Sequence, residues 1–341
     1  MRVGILGGGN ISDTHARAAL SIPGVEIAAV YGQNQAKAAA MAGKYGGVAY
    51  DDLEKFLAHR PMDVVAIGSP SGVHAEHALP AARRGLHILV EKPIDITTAK
   101  ADALIAAADA AGVKLGVFFQ DRLRPDIARI KAMIDDGKLG TPILASGRVK
   151  WYRPPEYYSG SRWRGTLALD GGGAVINQAI HTLDLMVWLF GPVSRVYGRT
   201  ATRLHKIESE DTAIAVLEYA NGALGVLEAT TSVYPGYARR LEVTGAGGTV
   251  VLEHERLVSV DLRDGSEKIV AAPSDELENV ASPVVSDVSA HRRIFEDFFH
   301  AIATNGTPAC DGREARRSVE VIEAIYASAR TGQPVVPGSR V

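Results

Sequence analysis

Over its first 120 residues the chain alternates short apolar runs (3–6, 25–31, 63–68, 86–90 and 113–119) with Ala-rich stretches (11–20, 34–45, 73–84 and 97–111) of helical spacing. The runs are apolar at successive positions, so both faces of each strand must be covered, as in a parallel sheet. Strand and helix in repeated succession build right-handed crossover units that stack helices on both faces of that sheet. The pattern predicts a doubly wound parallel sheet for residues 1–122.

After Arg124-Pro125 the pattern changes. A helical stretch at 126–136 ends at Gly137, and longer alternating strands take over from 143. Residues 212–219 and 223–231 flank Asn221-Gly222, a dipeptide that favours a two-residue hairpin turn. Residues 240–244 and 249–253 form a second pair around 245–248, and more strand material runs from 256 to 272. A polar stretch with prolines covers 273–290, and amphipathic helices are predicted at 291–304 and 312–331. Residues 123–341 therefore read as an α+β domain with a largely antiparallel sheet. Two domains also suit a length of 341 residues.

Lys and Arg total 37 against 39 Asp and Glu, a net charge of −2, which gives no electrostatic reason to expect nucleic acid or a membrane as partner. Cys310 is the only cysteine, so an internal disulfide and a cysteine-built metal site are both excluded, and no metal is expected. The first residues read as a strand and not as a secretory signal, and no apolar run is long enough for a bilayer. A cytoplasmic protein is expected.

The first chemical signal is Gly7-Gly8-Gly9-Asn10-Ile11-Ser12, between the first strand and its helix. Gly7 permits a tight turn, Gly9 lets backbone approach a pyrophosphate, and the helix N-terminus at Asn10 and Ile11 favours negative charge. A glycine cluster alone could be a flexible turn; its address at the first strand–helix junction points to a dinucleotide. The second strand should end in an acid that meets the adenosine ribose of NAD. Here Tyr31 is followed by Gly32, Gln33 and Asn34. Without that acid a 2′-phosphate is not repelled, and Gln33 and Asn34 can donate to it. NADP is modestly favoured over NAD, although no arginine follows and simple turn residues remain an open reading.

Glu91-Lys92-Pro93 ends what reads as the fourth strand, and strand carboxyl ends in an open sheet are where ligands bind. Lys92 at that address is a candidate for moving the proton that accompanies hydride transfer. Ser69, Pro70 and His74 follow the third strand and would border the same cofactor, with Glu91 beside them. In the second domain Asn177, His181, Asp184 and Trp188 share one face of a helix that opens after Gly171-Gly172-Gly173. His181 can exchange a proton near neutral pH, Asn177 can hydrogen-bond a substrate hydroxyl, and Asp184 can orient the imidazole. A satisfied core histidine is the plainer alternative.

Arg122 comes from 120–125, which leaves the last strand of the first domain, and Tyr152, Trp163 and Arg164 from 151–165, a stretch rich in Arg and aromatic residues. Aromatic faces suit a sugar ring and arginines suit an acidic group, but the same residue types mark subunit contacts.

The glycine loop, Glu91-Lys92-Pro93 and the Gly171–Asp184 helix together resemble the glucose–fructose oxidoreductase / inositol dehydrogenase / rhizopine-catabolism (Gfo/Idh/MocA) family, over nearly the whole chain. The resemblance implies a Rossmann domain joined to a domain whose open-faced sheet packs against another subunit, giving a homodimer or homotetramer. It also implies an NAD(P)-dependent dehydrogenase or reductase acting on a sugar, sugar acid or cyclitol. Many members carry Asp where this chain has Asn177, and Asn cannot take up a proton. The proton chemistry would then fall on Lys92 or His181, with Asn177 only positioning the substrate. Members acting on nucleotide-linked amino-sugar acids can carry Asn at this position. An NAD-dependent glycosidase without net redox and a non-catalytic sugar sensor are the alternatives on the same fold.

Overall fold

The computed structural model describes residues 1–270 and 287–339. By internal contacts they form two compact units. One holds Met1–Leu123 and, among the described residues, 287–316; the other holds 124–270 and 317–339.

In the first unit six parallel strands, β1 (Arg2–Leu6), β2 (Glu26–Tyr31), β3 (Val48–Tyr50), β4 (Val64–Ile67), β5 (His87–Val90) and β6 (Leu115–Val117), lie in the order 3-2-1-4-5-6. They alternate with α1 (Asn10–Leu20), α2 (Gln35–Tyr45), α3 (Leu53–Ala58), α4 (His74–Arg83) and α5 (Thr98–Ala111). Every residue of β4 is buried, as the two-faced apolar run requires. The order reverses between β1 and β4, the switch point at which open sheets of this kind bind ligands. The sequence pattern misses β3 and α3, because β3 is only three residues long with none fully buried. Lys92 therefore follows the fifth strand, not the fourth.

The second unit is built on one eight-stranded sheet. Its strands are β7 (Pro142–Lys150), β8 (Val193–Ala201), β9 (Thr212–Tyr219), β10 (Leu224–Thr230), β11 (Arg240–Gly245), β12 (Gly248–Glu253), β13 (Arg256–Leu262) and β14 (Lys268–Val270), in the order 14-13-12-11-7-10-9-8. All neighbours are antiparallel except β7 and β10. Both expected hairpins form, β9–β10 around Asn221-Gly222 and β11–β12. The helices α6 (Pro125–Asp135), α7 (Pro155–Ser159) and α8 (Ile180–Phe190) belong to the same unit. In β9 buried and exposed residues alternate strictly, so one sheet face is covered and the other is open. The strand residues expected at 271–272 and most of the polar stretch at 273–290 lie outside the described residues.

The chain then returns to the first unit as α9 (Ser289–Ala303), before α10 (Gly312–Thr331). Ile294, Phe295, Phe298 and Phe299 of α9 are buried against Phe118 and α1. Burial of each such side chain contributes about 1.5–3 kcal/mol. Gly116 on β6 allows the approach, since a Cβ there would lie 2.8 Å from the Phe298 ring. A single boundary after residue 122 does not describe this path. The apolar face of α9 is the cause.

Candidate active site

Gly7 has φ +131°, and a Cβ on it would lie 2.4 Å from Ser12 Oγ and 2.8 Å from the Gly68 carbonyl oxygen. The turn admits only glycine. Gly9 precedes α1 without a side-chain cap, and among the described residues nothing stands within 4 Å of where its Cβ would be. The first-turn amides of α1, including Asn10 and Ile11, have no intrahelical acceptor, and the helix dipole adds positive potential there. Open space before a glycine at an uncapped helix start fits a dinucleotide pyrophosphate. Ser12 is small enough for its buried side chain to pass between Gly7 and Gly68.

At the end of β2, Gly32 donates its N–H to Tyr50 O, and Gln33 is exposed. Asn34 Oδ1 caps α2 by accepting from the Lys37 N–H at 3.1 Å, so its oxygen already has a structural task. Lys37 itself escaped the sequence reading. A Cβ on Gly8 would lie 3.6 Å from Lys37 Cβ, which puts a cationic side chain beside the glycine loop. Its position three residues after the N-cap Asn34 is the signal the sequence carries.

The ends of β4 and β5 meet the same loop. Gly68 packs against Ile11, Ser12 and His15, and Glu91 N donates to Ile67 O at 2.9 Å. Ser69 and Pro70 follow Gly68, with Ser69 Oγ 2.9 Å from His77 Nδ1. Two residues expected to touch cofactor are placed otherwise. His74 is 1% exposed, its ring nitrogens 2.7 Å from Pro93 O and 2.9 Å from Ser69 O, so it ties the Ser69 loop to the Lys92-Pro93 turn. Glu91 is buried behind Lys92, bonded to His15 Nε2 at 2.9 Å and to the Lys92 backbone N–H at 3.1 Å. Burial pushes the His74 imidazole pKa down, opposed by its two carbonyl contacts. Arg122 is also redirected. It is 2% exposed, bonded to Glu314 and placed over the Phe119 ring, so it anchors a fold contact.

In the second unit the glycine stretch leads into a π-helical segment, Ala174–Ala179, which passes into α8. Wide turns of this kind recur at functional sites. The buried Glu210 holds its start: Oε2 accepts from Gly173 N–H and Oε1 from Val175 N–H and Tyr326 OH. Burial pushes the Glu210 carboxyl up to about 6 against those bonds. Within 174–187 only Asn177 and His181 are not fully buried. Asn177 Nδ2 donates to Asp170 Oδ1 at 2.5 Å, and its Oδ1 accepts from Gln178 Nε2 at 2.6 Å. Gln178 continues the chain to Tyr157 OH and Arg153. Asp184 is 1% exposed and accepts from Ser318 Oγ at 2.9 Å, while Trp188 lies under the Lys131 ammonium.

The Arg–aromatic stretch folds onto this network. The Arg164 guanidinium lies 4.4 Å from the Tyr157 ring centre and 5.2 Å from that of Trp163, and its buried Nε has no hydrogen-bond partner among the described residues. Arg153 stacks on Trp151 and Tyr157. Tyr152 packs edge-on to Tyr234, 5.3 Å between centres. The structure thus brings Tyr157, Trp163, Arg164, Gln178 and Asn177 into one connected set, and Tyr157 and Gln178 are members the sequence did not single out.

A six-stranded dinucleotide sheet of this order and a second-unit sheet bearing an Asn–His helix define a two-unit oxidoreductase. Residues 1–119 match the family model described as oxidoreductase family, NAD-binding Rossmann fold, and residues 127–251 match that of the GFO/IDH/MocA C-terminal domain. The chain belongs to the GFO/IDH/MocA oxidoreductase family. It is similar to D-apiose dehydrogenase of Paraburkholderia graminis, 30% identical over 97% of this chain and 88% of the relative. D-xylose 1-dehydrogenase (NADP(+)) 2 of Haloferax volcanii is 29% identical over 98% of this chain and 99% of its own. Among solved structures, the WlbA dehydrogenase from Bordetella pertussis, in complex with NADH and UDP-GlcNAcA, superposes with TM-score 0.87 at 31% identity, covering 100% of this chain and 99% of that one.

Proposed function

We propose that this enzyme is an NAD(P)-dependent dehydrogenase that exchanges a hydride with a carbinol or carbonyl carbon of a sugar, sugar acid or cyclitol, with Lys92 as its acid–base group. The observation that carries the assignment is that Lys92 and the glycine loop share one edge of the sheet: Gly7 abuts Gly68, Gly68 packs on α1, and Glu91 bonds His15 of that helix. Gly7, Gly9, Asn10 and Ile11 hold the pyrophosphate, Gly32, Gln33 and Asn34 the adenosine ribose, and Ser69, Pro70 and Lys92 border the nicotinamide. The nicotinamide, when bound, accepts or donates the hydride. Lys92 takes the hydroxyl proton in oxidation and returns it in reduction. The amide of Asn177 cannot take up a proton, so its part is to orient substrate, and His181 on the same helix offers substrate a further hydrogen bond. Arg164, stacked between two rings with an unpartnered Nε, favours a substrate with an acidic group. Tyr152 and Trp163 offer faces for the ring.

Lys37 beside the glycine loop and the missing acid at Gly32 favour NADP over NAD. The open sheet face favours a homodimer or homotetramer. It exposes Tyr197, Ile214, Val216 and Leu224 on β8, β9 and β10, with Tyr197 paired to Val216 across strands. Use of an exchangeable nicotinamide cofactor favours a cytoplasmic setting. Among the described residues no helix is long and apolar enough to cross a membrane.

The test is Lys92→Ala assayed on a panel of sugars, uronates and cyclitols. Turnover should fall at least ~100-fold while NADPH still binds, since proton transfer by a placed group contributes about 10²–10⁴. Near-wild-type turnover removes Lys92 from the chemistry, and equal affinity for NADPH and NADH removes the NADP preference. Substrate conversion without net NAD(P)H change would turn the assignment to the glycosidase.

A further inference from the structure

His15, Glu91 and His291 form a buried cluster behind Lys92. They come from α1, the residue after β5, and the first turn of α9, and their ligand-type atoms all lie within 4.8 Å of one another. Glu91 Oε1 is 2.9 Å from His15 Nε2 and 4.0 Å from His291 Nε2, while Oε2 accepts the Lys92 backbone N–H at 3.1 Å. An ionised carboxylate only accepts hydrogen bonds, so His15 carries its proton on Nε2. The His15 ring is clamped: it stacks on Phe118 with centres 4.1 Å apart and meets Phe295 edge-on at 6.3 Å. Burial pushes the Glu91 carboxyl up, but the His15 bond and the charges of His15, His291 and Lys92 outweigh it and hold the carboxyl down at about 2.

A buried charge is costly, and the sheet has no need of one here. Glu91 joins the strand ladder through its backbone, N–H to Ile67 O. Its side chain links two helices to a single neighbour, Lys92. We propose that His15, Glu91 and His291 are positioning residues for Lys92, fixing its backbone and setting, through a permanent negative charge beside it, the pH at which its amine releases a proton. The proposal rests on the assignment of Lys92 above. The other titratable groups at this point are His74, which holds Pro93 O, and Asp95, whose carboxylate accepts from the first turn of α4. Among the described residues no hydrogen bond joins either to Glu91, and although the Glu91 charge reaches the His74 imidazole, burial holds that imidazole below its ordinary range.

NAD⁺ alone is the probe. Its nicotinamide is cationic, so it binds more tightly once Lys92 is neutral, and its Kd followed by tryptophan quenching from about pH 6 to 10 traces that titration. In the wild type affinity should rise with pH, and Lys92→Ala should flatten the rise. Glu91→Gln keeps the shape and removes the charge, and should move the midpoint down by about one pH unit. His15→Phe keeps the stack on Phe118 without the donor and should move it the same way, and the double variant no further. Either single variant carries the test if the other fails to fold. A midpoint unmoved in both, with Lys92→Ala still flattening the curve, overturns the proposal and leaves the cluster a packing feature. A rise that persists in Lys92→Ala overturns instead the placement of Lys92 at the nicotinamide. Stoichiometric metal retained by the purified enzyme would also overturn it, by replacing the hydrogen bond with coordination.

Discussion

Gly7 and Gly9 stand two residues apart and have opposite tolerances. Any side chain at Gly7 meets Ser12 and the Gly68 carbonyl at a left-handed φ, so the limit is set by the protein itself. At Gly9 the protein sets none, and only a bound ligand would. Gly9→Val should therefore fold with nearly unchanged Tm yet lose at least ~10-fold in NADPH affinity, about 1.4 kcal/mol. Fluorescence titration beside a thermal melt checks it, and unchanged affinity would move the pyrophosphate elsewhere. The positions of Gly7, Gly9 and Lys92 at strand ends were legible from address alone, since a strand end needs no partner to be located. The bond of Arg122 to Glu314 was not legible, because that partner lies 192 residues away, beyond any local pattern. The directions of His74 and Glu91 were hidden for the same reason, since burial and long-range bonds decide where their side chains turn.

Among the elements, the π-helical segment at Ala174–Ala179 depends on one carboxylate. Glu210 satisfies two of its leading N–H groups, and losing it leaves them buried without acceptors, at about 1–3 kcal/mol. Glu210→Ala should lower Tm accordingly and weaken substrate binding more than cofactor binding. The pH dependence has a definite sign. With its folded pKa raised from 4.5 to about 6, Glu210 contributes stability that is full below pH 4.5 and is lost as pH rises through 6. Glu91 acts oppositely: its contribution is present above pH 4.5 and is lost as pH falls toward 2. Melts across this range should show Glu210→Gln losing the gain of wild type between pH 6 and 4.5; an unaltered slope would assign it to other groups. Two-faced apolar runs made β1, β2, β4, β5 and β6 legible, and Asn221-Gly222 made β9–β10 legible. The π-helical turn was not, because residue spacing does not distinguish it from α, and the anchor Glu210 is remote in sequence.

For the whole molecule, the open face of the eight-stranded sheet is the feature that bears on assembly. Ile214 is 54% exposed and Val216 45%, on strands whose other face is buried. Ile214→Asp places a charge in that apolar face and should shift the enzyme to monomers in light scattering after gel filtration, with Tm above that of a core variant. An unchanged mass would place the subunit contact on another surface. Fold class was legible because strand periodicity changes at Arg124-Pro125. The path was not, because the chain's return to the first unit rests on three phenylalanines of α9 whose periodicity shows an apolar face but not its destination.

That return constrains how the enzyme is made. Phe118, just after the last strand of the first sheet, is covered by Phe295 and Phe298 of α9. A ribosome adding about 5–20 residues per second needs roughly 10–35 s to pass from residue 123 to residue 299. During that interval the dinucleotide sheet exists without its cover and without His291 beside Glu91, while the strands of the second unit are being synthesised. The cofactor domain begins first and finishes late, so a fragment cut after Leu123 carries every glycine of the loop yet leaves its apolar face bare.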